Sequence, residues 1–373
     1  MARRRPDPNS LSIALVGTRG VPARYGGFET AVQQVGQRLV EHGHRVVVYC
    51  RPTDDGSKPD SYLGMRLVHL PIVRKRPVET LVHTGLSVAH LVCHPTDVVI
   101  MFNAANAPWL PMIRGRRLPV ATHVDGLEWQ RAKWGAAGRL YYQVAEKLAV
   151  RWSDALIADA QGIADYYQQT HRATTTLISY GAPILPRAVR RLGELGLSDK
   201  GFHLVVARFE PENHVAELVE GYVRSCAQLP LVVVGSAPYS DEYTRRIRDR
   251  ADGRVRLLGG VWDQQLLDQL YVGALTYLHG HSVGGTNPSL LRAIGAGTAV
   301  TAWDVVFNRE VLGDAGRYVA TPEAVAVEVE ATEADLATTQ QRATQSLRRA
   351  SSYDWDDVAN RYEALARRLV ERS

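Results

Sequence analysis

Short, continuous apolar runs alternate with helical spacing along most of the chain. The runs at residues 11–17, 44–50 and 97–102 are rich in Val, Ile and Leu and have the length of strands. Between such runs, segments such as 32–40 and 138–152 repeat apolar residues every three or four positions, as amphipathic helices do. Strands that are apolar at every position are buried on both faces. The pattern therefore predicts an α/β fold whose parallel sheets are covered by helices on both sides.

The alternation stops at residues 181–200 and then resumes. This interval holds two prolines, three glycines and several arginines without a regular period, which is typical of a linker. After it, five further apolar runs are predicted as strands, at residues 202–208, 231–235, 255–258, 274–278 and 299–303. The 373 residues fit about two domains at roughly 150 residues each. We therefore expect two doubly wound Rossmann-like domains at 1–186 and 187–350, followed by a C-terminal helix at 351–373.

The composition excludes several classes of protein. With 45% hydrophobic and 22% charged residues, the chain is expected to form a globular core. Its three cysteines are far apart, which excludes a disulfide framework and a Cys-x-x-Cys metal pair and favours a cytoplasmic location. No apolar run reaches the ~18 residues of a membrane-spanning helix. The basic N-terminus lacks the apolar segment of a signal peptide.

The net charge of +5 favours anionic ligands such as phosphates. A general preference for arginine over lysine is the alternative explanation of this charge. The basic residues are spread along the chain instead of forming a stripe, and no nucleic-acid recognition motif is present. We therefore expect no nucleic-acid partner.

A glycine-rich loop at residues 17–30 (GTRGVPARYGGFET) joins the first predicted strand to the first predicted helix. Gly26 and Gly27 permit a close approach of the backbone, and the helix N-terminus behind them offers free N–H groups. The loop matches neither the dinucleotide fingerprint nor the P-loop. It predicts a phosphate site, with a purely turn-shaping role for the glycines as the alternative.

A second polar loop, at residues 122–134 (THVDGLEWQRAKW), follows a predicted strand. Its candidate functional side chains are Asp125, Glu128, Trp129, Arg131 and Lys133. Ligands of open α/β sheets bind at the carboxyl ends of strands, so carboxylates here are suited to sugar hydroxyls and the indole to a sugar or isoprenoid group. A buried-tryptophan loop with solvated charges is the alternative.

Arg208 stands at the end of a predicted strand in the second half of the chain, within VVARFEPENH at residues 205–214. A guanidinium at this position can hold a phosphate through two parallel hydrogen bonds. The alternative is a surface ion pair with Glu210 or Glu212.

Residues 279–292 (HGHSVGGTNPSLLR) lead from a predicted strand through glycines into a helix that begins near a proline. Thr286, Asn287 and the N–H groups of the helix start predict a second anion site. His279 and His281 lack a clear third ligand, so no metal site is predicted.

Five motifs in chain order resemble family 4 retaining glycosyltransferases, and within them the rhamnosyltransferase-like branch of bacterial polysaccharide assembly. They are YGGFET at 25–30, DGLEW at 125–129, ARFEPEN at 207–213, GGTNPSLL at 284–291 and FNREVLGDAG at 307–316. The resemblance implies a GT-B fold, in which two doubly wound Rossmann-like domains face a central cleft. Residues 1–186 would be the acceptor side and 187–350 the donor side, with the helix at 351–373 returning to the first domain.

The same resemblance implies a metal-independent enzyme without a cofactor that transfers a sugar with retention of configuration. Rhamnose from dTDP-rhamnose is the favoured donor, with UDP- and GDP-sugars as alternatives, and the acceptor is a hydroxyl of a glycan or a polyprenyl-linked glycan. Asp125 and Glu128 would be catalytic. The donor would contact Gly26, Gly27, Arg208, Asn213, Thr286, Asn287, Ser289 and Arg292. The acceptor side would include Trp129, Arg131 and Lys133.

Two positions depart from the family pattern. Asn213 stands where the family has a lysine, and Arg292 stands where it has a carboxylate that holds the donor ribose. An arginine cannot accept hydrogen bonds from hydroxyls. We expect Arg292 to supply the phosphate charge that Asn213 lacks. A catalytically silent nucleotide-sugar-binding protein is the alternative function.

The basic segment VRKRP at residues 73–77 precedes an apolar-rich predicted helix at 78–92. Basic residues beside such a helix, here Arg74 and Arg76, suit an anionic membrane surface. This predicts peripheral association with the inner face of the plasma membrane. The alternative is an ordinary packed helix with a solvated basic loop.

Overall fold

The computed structural model describes residues 10–23, 26–52, 56–73, 79–124, 126–236 and 241–373. Asp125, Arg74 and Arg76, which carry three of the sequence predictions, lie outside these ranges. The chain divides into two compact units. The first contains residues up to 129, 134–180 and 355–373, and the second contains 130–133 and 181–354.

The first unit is built on one sheet. Its strands are β1 (Ser12–Val16), β2 (Arg45–Cys50), β3 (Ser61–Tyr62), β4 (Met65–His69), β5 (Val98–Phe102), β6 (Val120–His123), β7 (Ala155–Ala158) and β8 (Thr176–Leu177). They are ordered β3-β4-β2-β1-β5-β6-β7-β8, and all neighbouring pairs are parallel except the β3–β4 hairpin. The accompanying helices are α1 (Gly27–Glu41), α2 (Glu79–Cys93), α3 (Leu110–Gly115), α4 (Ala136–Trp152) and α5 (Gln161–His171).

The carboxyl end of β1 is the switch point of this sheet, because β1 lies between β2 and β5. Gly17 follows β1 with a φ of 95°. A Cβ at Gly17 would lie 2.3 Å from the backbone oxygen of Phe102 at the end of β5. Only glycine allows the two strand ends to approach so closely.

The second unit has a sheet in which every pair of neighbouring strands is parallel. Its strands are β9 (His203–Val206), β10 (Leu231–Val234), β11 (Val255–Gly259), β12 (Thr276–His279), β13 (Ala299–Trp303) and β14 (Gly316–Val319). Their order is β11-β10-β9-β12-β13-β14, with the switch point between β9 and β12. The helices are α6 (Val215–Arg224), α7 (Asp241–Arg250), α8 (Gln264–Gly273), α9 (Pro288–Gly295), α10 (Val306–Leu312), α11 (Pro322–Ala334) and α12 (Leu336–Ala350).

The last helix, α13 (Trp355–Glu371), packs on α1 in the first unit. Glu363 contacts two histidines that follow α1, with its carboxylate 2.7 Å from His42 Nδ1 and 3.1 Å from His44 Nε2. The buried ring of Tyr362 stacks with Phe102 of β5 at 6.5 Å between centroids. The predicted α/β architecture with two doubly wound parallel sheets is therefore confirmed.

Candidate functional site

Gly26 and Gly27 form the start of α1 in the first unit. Gly26 is the N-cap residue, with a φ of 99°, and it provides no side-chain cap. The first-turn carboxylate of Glu29 lies close by, since a Cβ at Gly26 would be 2.5 Å from Glu29 Oε2. Burial raises the pKa of Glu29, and the hydrogen bond from the Arg19 N–H (3.1 Å) partly offsets this rise. The helix start therefore holds an acidic side chain whose neutral form is favoured by burial.

His123, the last residue of β6, is buried in an aromatic box. Its ring stacks on Phe102 at 5.6 Å and on Tyr180 at 5.8 Å, and Phe28 approaches it edge-on at 5.3 Å. Among the described residues, neither ring nitrogen has a hydrogen-bond partner. Burial lowers the pKa of His123 to about 3, so the ring is neutral. His123 is a candidate that the sequence reasoning did not select, although it stands two positions before the predicted Asp125 at a strand end.

Glu128 and Trp129 lie on a short turn that precedes α4, and a polar cluster lies behind this turn. The Tyr166 hydroxyl donates to Glu146 Oε2 at 3.0 Å, and His171 Nε2 lies 3.6 Å from the same oxygen. Burial raises the pKa of Glu146 to about 7. Burial raises the pKa of Tyr166, and the nearby Trp129 side chain lowers it and so partly offsets this rise. No sequence motif marks this cluster, because the spacing around Glu146 is that of an ordinary helical carboxylate.

Arg131 lies in the second unit, beside the loop that follows β9. Its NH1 atom is 3.7 Å from Glu210 Oε2 and 3.8 Å from Glu212 Oε1. Arg208 NH1 is 3.7 Å from the other oxygen of Glu210. At these distances the charged groups form ion pairs but are too far apart for hydrogen bonds. The alternative ion pair expected for Arg208 is thus present, but it is a loose one.

The placement of Arg131 differs from the predicted one. The sequence predicts Arg131 and Lys133 on the acceptor side, in the first domain, whereas the structure groups segment 130–133 with the second unit. The physical reason is charge, since Arg131 lies against two carboxylates of the second unit, Glu210 and Glu212, whose side chains are almost buried. Lys133 is exposed.

Asn213 is buried, and its amide holds the backbone of the Arg208 loop. Asn213 Nδ2 donates to the Arg208 carbonyl oxygen at 2.8 Å. Gly280, the residue after β12, packs closely against the same loop, because a Cβ at Gly280 would lie 2.1 Å from the backbone oxygen of Asn213. Asn213 therefore shapes the loop that presents Arg208.

The start of α9 is capped by its own side chains. Asn287 Oδ1 accepts hydrogen bonds from the Ser289 N–H at 2.9 Å and from the Ser289 hydroxyl at 2.6 Å. The Ser289 hydroxyl also lies 3.1 Å from the Tyr277 hydroxyl, and Thr286 is buried. Asn287 and Ser289 thus form an N-cap network that reaches the Tyr277 hydroxyl.

Arg292 lies in α9 and forms an ion pair with Asp268 of α8. Its guanidinium is therefore engaged by a carboxylate of the same unit. The expected role of Arg292 at the donor phosphate stays a prediction, and the paired carboxylate is a competitor that the sequence did not reveal.

His279 and His281 are both neutral in this environment. Burial lowers the pKa of His279 to about 3. Burial also lowers the pKa of His281 strongly, and the charges of Arg131 and Arg208 lower it further. A Cβ at Gly284 would lie 3.7 Å from His281 and 3.9 Å from Arg131. The second unit thus brings together two arginines, two carboxylates and a neutral histidine near the glycines that precede α9.

Residues 26–181 match the Glycosyl transferase 4-like domain. O-antigen chain mannosyltransferase B of Escherichia coli is 27% identical over 164 residues, which are 41% of this chain and 42% of that protein. The GtfA subunit of a UDP-N-acetylglucosamine–peptide N-acetylglucosaminyltransferase of Streptococcus gordonii is 30% identical over 118 residues, or 31% of this chain and 22% of that protein. The chain therefore spans less than half the length of these curated relatives.

Solved structures resemble the chain over nearly its whole length. Sucrose-phosphate synthase from Thermosynechococcus elongatus has a TM-score of 0.84 at 20% identity, covering 97% of this chain and 100% of that one. Anabaena HepE in complex with UDP has a TM-score of 0.77 at 17% identity, covering 95% and 99%. A glycosyltransferase from Rickettsia africae has a TM-score of 0.75 at 14% identity, covering 98% and 100%. The chain thus has a GT-B-like fold, and its residues 26–181 are similar to the Glycosyl transferase 4-like domain.

Proposed function

We propose that the chain is a retaining, metal-independent glycosyltransferase that uses a nucleotide-diphosphate sugar. The match of residues 26–181 to the Glycosyl transferase 4-like domain carries this proposal. Solved structures of Anabaena HepE with UDP and with UDP-glucose support a nucleotide-sugar donor, and the mannosyltransferase relative from Escherichia coli supports the transfer of a sugar. The acceptor is a hydroxyl of a glycan or of a polyprenyl-linked glycan in cell-surface polysaccharide assembly.

The second unit supplies the charge for the donor diphosphate. Arg208 is about one-third exposed, and its contact with Glu210 at 3.7 Å is loose enough for a phosphate to replace it. A guanidinium gains two charge-assisted hydrogen bonds from such an exchange. The leaving diphosphate gathers negative charge in the transition state, so a fixed cation lowers the barrier. The leaving phosphate itself takes the acceptor proton on the face where the new bond forms.

The first unit supplies groups for sugar hydroxyls. Asp125 and Glu128 are proposed for this role, and the structure describes only the second of them. His123 joins them, because burying ring nitrogens without hydrogen-bond partners among the described residues costs about 1–3 kcal/mol. A hydrogen bond to a ligand hydroxyl would offset this cost. Positioning and charge stabilisation are then the main catalytic contributions of the protein.

Rhamnose remains the favoured sugar, and it rests on the five motifs. The experiment is a thermal-shift screen with dTDP-rhamnose, GDP-mannose and UDP-glucose, since a bound donor raises the melting temperature with its concentration. Release of nucleoside diphosphate is then measured with and without EDTA. We expect stabilisation and turnover with dTDP-rhamnose that EDTA leaves unchanged. Stabilisation by another donor alone would refute rhamnose, and loss of turnover in EDTA would refute metal independence.

A catalytically silent nucleotide-sugar-binding protein is the second candidate. Two observations favour it: position 213 holds an asparagine instead of the lysine that the resemblance implies, and Arg292 is paired with Asp268. This candidate predicts stabilisation by a donor without nucleotide release from any donor. The same screen therefore separates the two functions.

A further inference from the structure

Helices α2, α3 and α4 form a continuous surface of the first unit, which we call the α2–α4 surface. It also includes the turn after α3, at residues 116–117. Helix α3 contacts α2 on one side and α4 on the other. Within the described part of the chain, no helix is long and apolar enough to span a membrane.

The α2–α4 surface carries charge of one sign. Its exposed basic residues are Arg114, Arg116, Arg117, Arg139, Lys147 and Arg151. The two acidic residues on the three helices do not offset this charge, because Glu79 is neutralised by Arg51 at 2.6 Å and Glu146 is buried. Asp154, just beyond α4, pairs with Arg114 at 2.6 Å. The remaining cations make the surface strongly positive.

Large apolar side chains are exposed among these cations. They are Leu86, Met112, Leu140 and Val144. Leu140 is 63% exposed and Val144 is 44% exposed. The two lie one turn apart on the same side of α4, with Arg139 and Lys147 adjacent to them along the helix. The surface therefore combines apolar tips with a surrounding positive field.

We propose that the α2–α4 surface binds an anionic lipid membrane. The cations contact lipid phosphates, while Leu140 and Val144 enter the headgroup region. A nucleic acid would neutralise the cations but would leave the apolar tips in water. A second copy of the chain would bring two positive surfaces together, which electrostatic repulsion opposes. This surface would bring the chain to a lipid-linked acceptor. The acceptor rests on the proposed function, whereas membrane binding rests on the charge and the apolar side chains of the surface.

The test is co-sedimentation of the full chain with phosphatidylcholine vesicles, with and without phosphatidylglycerol. We expect sedimentation only when the anionic lipid is present, and release by salt. The charge variant is Arg139→Gln/Lys147→Gln/Arg151→Gln. Each cation near such a surface contributes about a fivefold gain in binding, so this variant is expected to bind about a hundredfold more weakly. The apolar variant, Leu140→Ser/Val144→Ser, is expected to bind more weakly even at low salt.

Two matched controls separate this surface from general charge and hydrophobicity. Arg361→Gln/Arg368→Gln/Arg372→Gln makes the same charge change at exposed positions of the last helix and the residues after it. Val327→Ser/Leu336→Ser makes the same apolar change at exposed positions of the second unit. Both controls are expected to bind vesicles as the unmodified chain does.

Three results would overturn the proposal. They are binding that does not depend on phosphatidylglycerol, charge variants and controls that bind equally, and a dimer in sedimentation velocity that the α4 variants abolish. The vesicle assay contains no sugar donor. Failure of the proposed transfer reaction would instead appear as a lack of nucleotide release from every donor, whether or not vesicles bind.

Discussion

The side-chain amide of Asn213 donates a hydrogen bond to the backbone oxygen of Arg208 at 2.8 Å. The residue at a position where the resemblance implies a lysine is thus buried and supports the adjacent arginine. Asn213→Ala removes this bond and leaves the Glu210 N–H, at 2.9 Å, as the donor to the Arg208 carbonyl, so the loss of one hydrogen bond costs about 0.5–1.5 kcal/mol of unfolding free energy. We expect urea denaturation to show this loss, together with weaker donor binding in a nucleotide titration. Unchanged donor affinity would show that Asn213 does not position Arg208 for the donor.

Arg208 is the cation on which donor binding is expected to depend most. Arg208→Gln removes a charge-assisted contact worth about 1.5–3 kcal/mol, so nucleoside diphosphate affinity should fall by about 10- to 150-fold. Calorimetric titration of the nucleotide measures the change. Arg309→Gln is the matched control, because Arg309 is exposed in the same unit and pairs with Asp304. Equal affinities of the two variants would exclude a phosphate role for Arg208.

The strands that are apolar at every position were predictable from sequence because their burial on both faces does not depend on any particular neighbour. The predicted strand at 299–303 and the observed β13 (Ala299–Trp303) have the same bounds. The two-residue strand β3 has no such run. Its pairing with β4 depends instead on a turn in which Leu63 and Gly64 both have positive φ.

The candidate site was predictable only where a motif marks it. Arg208 and the α9 start stand at strand ends and carry glycine or proline signals. The burial of His123 depends on Tyr180, and the raised pKa of Glu146 depends on its burial beside Tyr166. Such neighbours come from distant parts of the chain, so local sequence does not contain the signal. The ion pair of Arg292 with Asp268 could not be predicted for the same reason.

Glu146 is expected to make stability fall as the pH rises. Its pKa is about 7 in the folded chain, above the value of about 4.3 in an unfolded chain. Folding therefore favours the protonated carboxyl, and its contribution is full below about pH 4.3 and is lost as the pH rises through 7. Glu146→Gln keeps an acceptor for Tyr166 and should be more stable than the unmodified chain at pH 8, by up to about 3 kcal/mol. Urea denaturation at pH 5 and pH 8 checks this, and an equal difference at both values would contradict it.

Glu363 is expected to have the opposite dependence. Arg367, His42 and His44 lower its pKa to about 2, against the effect of burial. Its contribution is therefore present above about pH 4.3 and is lost as the pH falls toward 2. Glu363→Gln should destabilise the chain at pH 7 by about 2–3 kcal/mol, and the difference should shrink in acid. Asp357→Asn, which breaks an exposed pair with Arg361, is the control and should change stability by less than about 1 kcal/mol.

His123→Phe tests whether the buried histidine serves the ligand or the fold. Phenylalanine keeps an aromatic ring between Phe102 and Tyr180 and removes two nitrogens that lack partners among the described residues. The melting temperature should therefore stay equal or rise, because the variant no longer buries unsatisfied polar atoms. Nucleotide release should fall by at least about tenfold, the equivalent of one lost hydrogen bond of about 1.4 kcal/mol. Turnover that persists at a raised melting temperature would leave His123 without a role in transfer.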